Sequence, residues 1–195
     1  RNFEYYSEDG VLASEIGEAE VRGIEEKGVH VVIKHFALND CEQDRIGLGV
    51  WLTEQAAREI YLRAFQGALE SSQAGGNGVM MAYTRWGTQW SGANAGLIKG
   101  ILNGEWGCHG KQITDNVLTT YVNGVDGVMG GTTAFDSMMA FYIINNGNGQ
   151  GRLPEYKNDP VVVTAMREAA HANLYATANS CGMNGVGADT TIRLT

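Results

Sequence analysis

Proline is almost missing from this chain, 2 residues in 195, and cysteine is scarce, 3 residues. With 27 glycines beside so few prolines, the turns fall to glycine. That balance predicts tight turns and close backbone approaches rather than a low-complexity linker. Cys41, Cys108 and Cys181 are odd in number and far apart, which argues against a disulfide framework and a local zinc knuckle. They read as ordinary reduced thiols, a slight tilt toward a cytoplasmic setting. No run of 18 apolar residues occurs, so no membrane span is expected. Basic charge is short as well. The formal net charge is −8, without the basic patch a phosphate backbone needs, so nucleic acid is not an expected partner. There is no GxGxxG and no P-loop, and no nucleotide cofactor is indicated. His30, His109 and His171 have no His or carboxylate partner at ligand spacing, and no metal or other cofactor is expected. The chain opens Arg-Asn-Phe, without an initiator Met or signal-peptide pattern, and reads as an internal start.

What is present is an alternation of helical and extended patterns. Hydrophobic content of 44% and charged content of 18% fit a globular domain with a sizeable core. Residues 8–27 carry Leu12, Ile16, Ala19 and Gly23 at helical spacing, and Gly28 ends that run. Residues 29–34 read as a buried strand. Thr53-Glu54 starts a helix with Ala57, Tyr61, Phe65 and Leu69 four apart. Residues 79–83 predict a second strand, 92–103 a helix, 111–115 a third strand, and 125–129 a weaker fourth, since Gly127 interrupts it. A helix is expected around 133–144, then a loop at 145–151. Asp159-Pro160 opens a last helix to about Asn179, and the tail is Gly-rich. Strands alternating with helices predict βα units and a parallel sheet in an α/β fold, without a linker that would split the chain.

Each predicted strand is apolar up to a polar carboxyl end: Lys34-His35, Tyr83-Thr84, Thr114-Asp115, Met129-Gly130. Ligands of α/β folds bind at that end of the strands. Asp115 is therefore a candidate nucleophile or general base, although an Asp after a strand is also a common turn former. Lys34 and His35 offer donors for hydroxyl groups. As strand neighbours they point to opposite faces, so both reach one ligand only if the strand ends or bulges there. Tyr83, Trp86 and Trp90 make an aromatic-rich loop, suited to sugar rings or to packing.

Four stretches taken in order resemble glycoside hydrolase family 3, the family of many β-glucosidases. RNFEYYSED at 1–9 is similar to the segment after an early barrel strand. KHFALND with Glu42 and Arg45 resembles the KHF-x-x-N-x-x-E-x-x-R stretch. VMMAYTRWG resembles the Met-Ser-Tyr-Asn strand end, and EWGCHGKQITD the segment that closes on the catalytic aspartate. The resemblance covers nearly the whole chain. It implies a (β/α)8 TIM-barrel-type domain, of which about four βα units, the later half, are expected in residues 1–195, with 180–195 as a Gly-rich tail. It implies a retaining exo-β-glycosidase, a β-glucosidase acting on terminal non-reducing β-D-glucosyl residues through a covalent glycosyl-enzyme.

By residue, the family pattern matches Asp115 to the nucleophile. It matches Lys34, His35 and Arg1 to groups that hold the terminal sugar, and Tyr83 to a tyrosine beside the nucleophile. Glu4, Arg45 and Trp86 fall in supporting positions. Cations near Asp115 would keep it ionised. Two departures stand out: Asn116 follows the nucleophile where the family often has Trp, and residues 125–129 read Val-Asp-Gly-Val-Met where Gly-x-Asp-Met-x-Met is usual. KHF is followed by Ala-Leu-Asn-Asp rather than the Pro-Gly-His/Asp-Gly of the β-N-acetylglucosaminidases, so that activity is set aside. The upstream half-barrel and a second domain carrying the acid/base glutamate are not found in these residues, and the chain reads as part of a larger enzyme. β-Xylosidase is the alternative substrate reading. A non-catalytic sugar-binding fragment, with open sheet edges that favour self-association, is the alternative of another class.

Overall fold

Asp9 starts the first helix. In the computed structural model, which describes residues 4–72, 76–117, 121–136 and 152–183, its carboxylate accepts from the Val11 and Leu12 N–H groups at 2.8 and 3.0 Å. Helix α1 then runs Gly10–Glu25. Its buried face is not the predicted one. Leu12 and Ile16 are exposed, and Ala13, Ser14, Gly17 and Val21 are buried instead. The reason is close helix–helix approach. Ser14 Oγ accepts the Gly67 N–H at 3.1 Å, and a Cβ on Gly67 would lie 2.5 Å from that oxygen. Only small side chains fit between two backbones at such a separation.

The partner helix, α2, is built of Glu54–Ala56, a π-helical stretch Ala57–Leu62 and Arg63–Glu70. Thr53 caps it, its hydroxyl accepting the Ala56 N–H at 3.2 Å. Ala57, Leu62 and Leu69 are buried, with Tyr61 and Phe65 partly buried against the same core.

Three strands form the parallel sheet, in the order β1 (Val32–Phe36), β3 (Gly78–Met81), β6 (Gln112–Thr114). β1 begins later than predicted, carries on through Lys34 and His35, and is not the buried strand expected: Val32 and Lys34 are exposed, and only His35 and Phe36 at its end are buried. Its register against β3 shifts between Lys34 and Phe36: Lys34 pairs with Met80, and Phe36 with Met81. The shift is a bulge at His35. A second sheet joins β2 (Gly49–Val50), β4 (Arg85–Trp86) and β5 (Gln89–Trp90) in the loops after β1 and β3. Helix α3 is π-helical over Gly96–Glu105 and buries Leu97, Ile98, Ile101 and Leu102. Phe36 sits at the centre of the core, in edge contact with Phe65 and Trp106 at centroid distances of 5.1 and 6.1 Å. Burying a Phe side chain stabilises by about 1.5–3 kcal/mol.

The predicted strand at 125–129 is a helix, α4, Gly124–Gly130. Asn123 Oδ1 accepts the Asp126 N–H at 3.1 Å, and Gly131 closes the helix at φ 112°. Met129-Gly130 is accordingly not a strand end. The fourth parallel contact comes five residues later, at Ala134, bridged to Ile113. Residues 133–136 hold this bridge and are not helical, and the remainder of the helix expected to 144 lies outside the described residues. Helix α5, Pro160–Ala178, starts as predicted, with Asp159 capping Val161 and Val162. Asn173 on this helix donates to the Thr133 carbonyl at 2.8 Å and ties it to the fourth strand position.

The cysteines divide by environment. Cys108 is buried, its thiol 3.1 Å from the Asn77 carbonyl, and burial pushes its pKa up to about 11. Cys41 and Cys181 are exposed. Brief iodoacetamide treatment of the native protein is expected to alkylate those two and spare Cys108, read by peptide mass spectrometry; alkylation of all three at one rate would contradict this packing.

Candidate active site

Asp115 follows β6 directly, and its backbone N–H extends the ladder to the Met81 carbonyl at 3.2 Å. The sheet thus delivers the carboxylate to the mouth of the three strands. Oδ1 accepts the Asn116 N–H at 2.7 Å, while Oδ2 is buried and accepts no hydrogen bond. His35 Nε2 lies 3.4 Å from Oδ2, near enough to feel its charge. The sheet therefore brings His35 and Asp115 together from strands two apart.

Burial holds the His35 pKa below its ordinary value of 6.5, the Asp115 charge opposing that shift only in part. The folded state therefore binds fewer protons here than the unfolded chain. Stability is unaffected above pH 6.5 and falls as pH drops through that value toward the lower folded one. The urea midpoint is expected to drop more between about pH 7.5 and about pH 5 in the wild type than in His35→Gln. Equal drops would assign the acid sensitivity elsewhere.

Tyr83 stands over the same carboxylate. Its hydroxyl donates to the Asn116 carbonyl at 2.7 Å, and burial, with the Asp115 charge, pushes its pKa up to about 12. It stays a neutral donor at any working pH. Arg45 stacks on its ring with the guanidinium carbon 4.6 Å from the centroid, and Nη1 is held by Glu42 at 2.8 Å. Glu42 also accepts from Asn39 at 2.8 Å. Lys34 Nζ pairs with Glu4 at 2.6 Å, and that contact holds the Glu4 carboxyl below its ordinary pKa. Trp86 is half-buried against the main core. Trp90 is buried, with Nε1 donating to the Ala82 carbonyl at 2.9 Å. Trp90 packs in the core, and Trp86 packs against it while staying partly exposed. Arg1 lies outside the described residues.

Two residues were not legible as site members. Tyr121 makes edge contacts with Tyr83 and Trp90 at 5.0 and 5.6 Å, and its hydroxyl donates to the Asp115 carbonyl at 3.3 Å. Asp136 follows the fourth strand position, and its charge helps raise the pKa of both tyrosines. Its place beyond a strand would have been readable had the strand been set at 134 rather than 125–129. Of five buried side-chain polar atoms without a hydrogen-bond partner among the described residues, three are Asn39 Oδ1, Asp115 Oδ2 and Asn116 Oδ1. Unmet acceptors are rare in folded proteins, and these three lie on the loops that follow the strands. Among the described residues no group of three or more His, Cys, Asp or Glu could hold a metal ion, and no helix is long and apolar enough to cross a membrane.

The family model described as "Glycosyl hydrolase family 3 N terminal domain" matches residues 1–141. The probable beta-glucosidase J of Aspergillus fumigatus is 36% identical over 140 residues, which cover 69% of this chain and 16% of that protein. Beta-glucosidase A of Butyrivibrio fibrisolvens is 41% identical over 115 residues, 59% of this chain and 14% of its own length. The solved structure of beta-glucosidase 3B from Thermotoga neapolitana in complex with glucose matches with a TM-score of 0.81 at 30% identity, covering 95% of this chain and 26% of that one. The matched structures are barrel enzymes, and the chain has the α/β architecture of part of such a (β/α)8 barrel. It spans 16% of the length of the first of these curated relatives and about a quarter of the solved one.

Proposed function

We propose, for a chain that belongs to glycosyl hydrolase family 3, that it forms the nucleophile-bearing part of a retaining β-glucosidase, all 195 residues lying in one barrel domain with 180–195 as its tail. The observation that carries this reading is the Asp115 carboxylate at a strand end, one oxygen oriented by the Asn116 N–H and the other buried without a hydrogen bond, 3.4 Å from His35 Nε2. The latter oxygen attacks the anomeric carbon and forms the glycosyl–enzyme ester. The glycosidic bond breaks as the leaving oxygen takes a proton from a second carboxyl group. Water, deprotonated by that second group, then releases the sugar with retained configuration. Retaining geometry sets the two carboxyls about 5–5.5 Å apart. In this reading the second one comes from the rest of the parent protein.

Lys34 and His35 donate to hydroxyls of the terminal β-D-glucosyl residue, and Arg1 binds the same sugar. Glu4 steadies Lys34, and Arg45 steadies Tyr83. Trp86 supports the loop from the core side. Holding the anomeric carbon in line with Oδ2 is the main contribution of these groups.

The test is trapping. The full-length protein, inactivated with an activated 2-deoxy-2-fluoro-β-glucoside, is expected to carry the label on Asp115. A label on another residue, or none, would overturn the assignment. The isolated 195 residues are expected to turn over no aryl β-glucoside, because they lack the acid/base group in this reading. With the full-length protein, a clear preference for aryl xylosides over aryl glucosides would move the substrate to β-xylosides.

A further inference from the structure

Each of the four backbone polar groups of Asp115 and Asn116 has a partner, and two of those partners are tyrosines. The Asp115 N–H donates to the Met81 carbonyl at 3.2 Å, and the Asn116 N–H to Asp115 Oδ1 at 2.7 Å. The Asp115 carbonyl accepts from the Tyr121 hydroxyl at 3.3 Å, and the Asn116 carbonyl from the Tyr83 hydroxyl at 2.7 Å. The Asp115 carbonyl and the Asn116 N–H belong to one trans peptide unit, which is planar, so they point in opposite directions. Fixing the direction of that carbonyl fixes the direction of that N–H. Tyr121 holds one side of the unit, and the carboxylate Oδ1 is held on the other. At 3.3 Å the Tyr121 contact is long for a hydroxyl donor, so its value lies in direction more than in strength.

Tyr121 is itself held in place. It comes six residues after Asp115 and folds back on its own loop. Its ring meets Tyr83 edge-on at 5.0 Å and Trp90 at 5.6 Å. Trp90 is buried and anchored through Nε1 to the Ala82 carbonyl at 2.9 Å, and Arg45 stacks on Tyr83. Burial, then the neighbouring Tyr83 and the Asp115 charge, push the Tyr121 pKa up, so the hydroxyl keeps its proton to donate. We propose that Tyr121 is a positioning residue: through the Asp115–Asn116 peptide it aims the N–H that orients Oδ1, and so sets the rotation of the carboxylate that presents Oδ2 to the substrate. In this role it touches no reacting atom. A hydrogen bond to the carbonyl also polarises the peptide and strengthens the N–H as a donor. The inference rests on the retaining β-glucosidase reading and deepens it, adding the group that aims the nucleophile.

The test uses the full-length protein and separates bond formation from binding. Saturation kinetics with an activated 2-deoxy-2-fluoro-β-glucoside give a trapping rate constant and a dissociation constant. Tyr121→Phe keeps the ring and removes only the hydroxyl. It is expected to lower the trapping rate constant about 3- to 10-fold, the worth of one hydrogen bond, and to change the dissociation constant by less than about twofold. Val162→Ala, a truncation in the separate core under α5, is expected to lower the melting temperature and leave trapping unchanged, which tells positioning from loss of stability. Tyr121→Leu, also without the hydroxyl, stands in should Tyr121→Phe melt below Val162→Ala. In the Asp115→Ala protein with added azide the carboxylate is gone, and there Tyr121→Phe is expected to change the rescued rate by less than about twofold. A trapping rate constant unmoved by loss of the hydroxyl, a fall carried by the dissociation constant, or an equal fall in the azide-rescued protein overturns this inference alone. A wild type that is not trapped overturns the glycosidase reading, and this inference with it.

Discussion

Replacing Asp115 with asparagine in the full-length protein is expected to lower kcat on an aryl β-glucoside on the order of 10⁴-fold or more, the usual consequence of removing a covalent nucleophile. The change keeps the shape of the side chain and the acceptor for the Asn116 N–H, so the fold is expected to persist. It removes the anionic oxygen that lies bare beside His35. A second variant makes the result specific. Asp115→Ala opens space at the anomeric carbon, and added azide is expected to restore turnover and yield the α-glucosyl azide, because the anion enters from the face the carboxylate occupied. A β-azide or no rescue would argue that Asp115 holds the substrate without bonding to it. Melting temperatures of both variants separate these outcomes from loss of structure.

Gly78→Ala is the substitution with the largest expected effect on stability. Gly78 opens the central strand of the parallel sheet, and a Cβ there would lie 1.8 Å from the Lys111 carbonyl oxygen. The obstacle is backbone, so no rotamer change relieves it. The strand must move away from its neighbour and give up ladder hydrogen bonds. A loss of about 3 kcal/mol or more is expected, the upper range for overpacking. Gly23→Ala is the matched control. It sits inside α1 with nothing within 4 Å of the added carbon, and is expected to stabilise by about 0.5–1 kcal/mol. Urea unfolding of the two variants against wild type reads both signs. A Gly78→Ala protein as stable as wild type would mean the sheet is not paired as described.

The elements that could be read from the chain are those whose signals are local. Thr53 and Asp159 announce helix starts because a short polar side chain capping free N–H groups needs only its next three residues. β3 is legible because a buried parallel strand reads as a plain apolar run, whereas β1 is legible from its β-branched residues although Val32 is exposed, and β6 from Ile113 beside the turn-forming Asp115. Residues 125–129 misled for the opposite reason: Val-Asp-Gly-Val-Met is as apolar as an edge strand. Asn123 and Gly131, which cap it as a helix, act from outside the window.

Residue types, their order and the strand ends by themselves determined an α/β chain of family 3 character and named Asp115, Lys34, His35 and Tyr83 as the residues to examine. Tertiary structure alone decided which of them meet. The α1 face is one case: the sequence favours burying Leu12 and Ile16, yet contact with α2 selects Ser14, because backbone separation is a property of two helices and not of one. The site is the other. His35 and Asp115 are eighty residues apart in the chain and 3.4 Å apart across the sheet, and the Tyr121 contact with Tyr83 and the Arg45 stack follow from strand order and from a register shift at Lys34. Those depend on long-range pairing, whose free energy is shared among many residues and is written in no single stretch of the sequence.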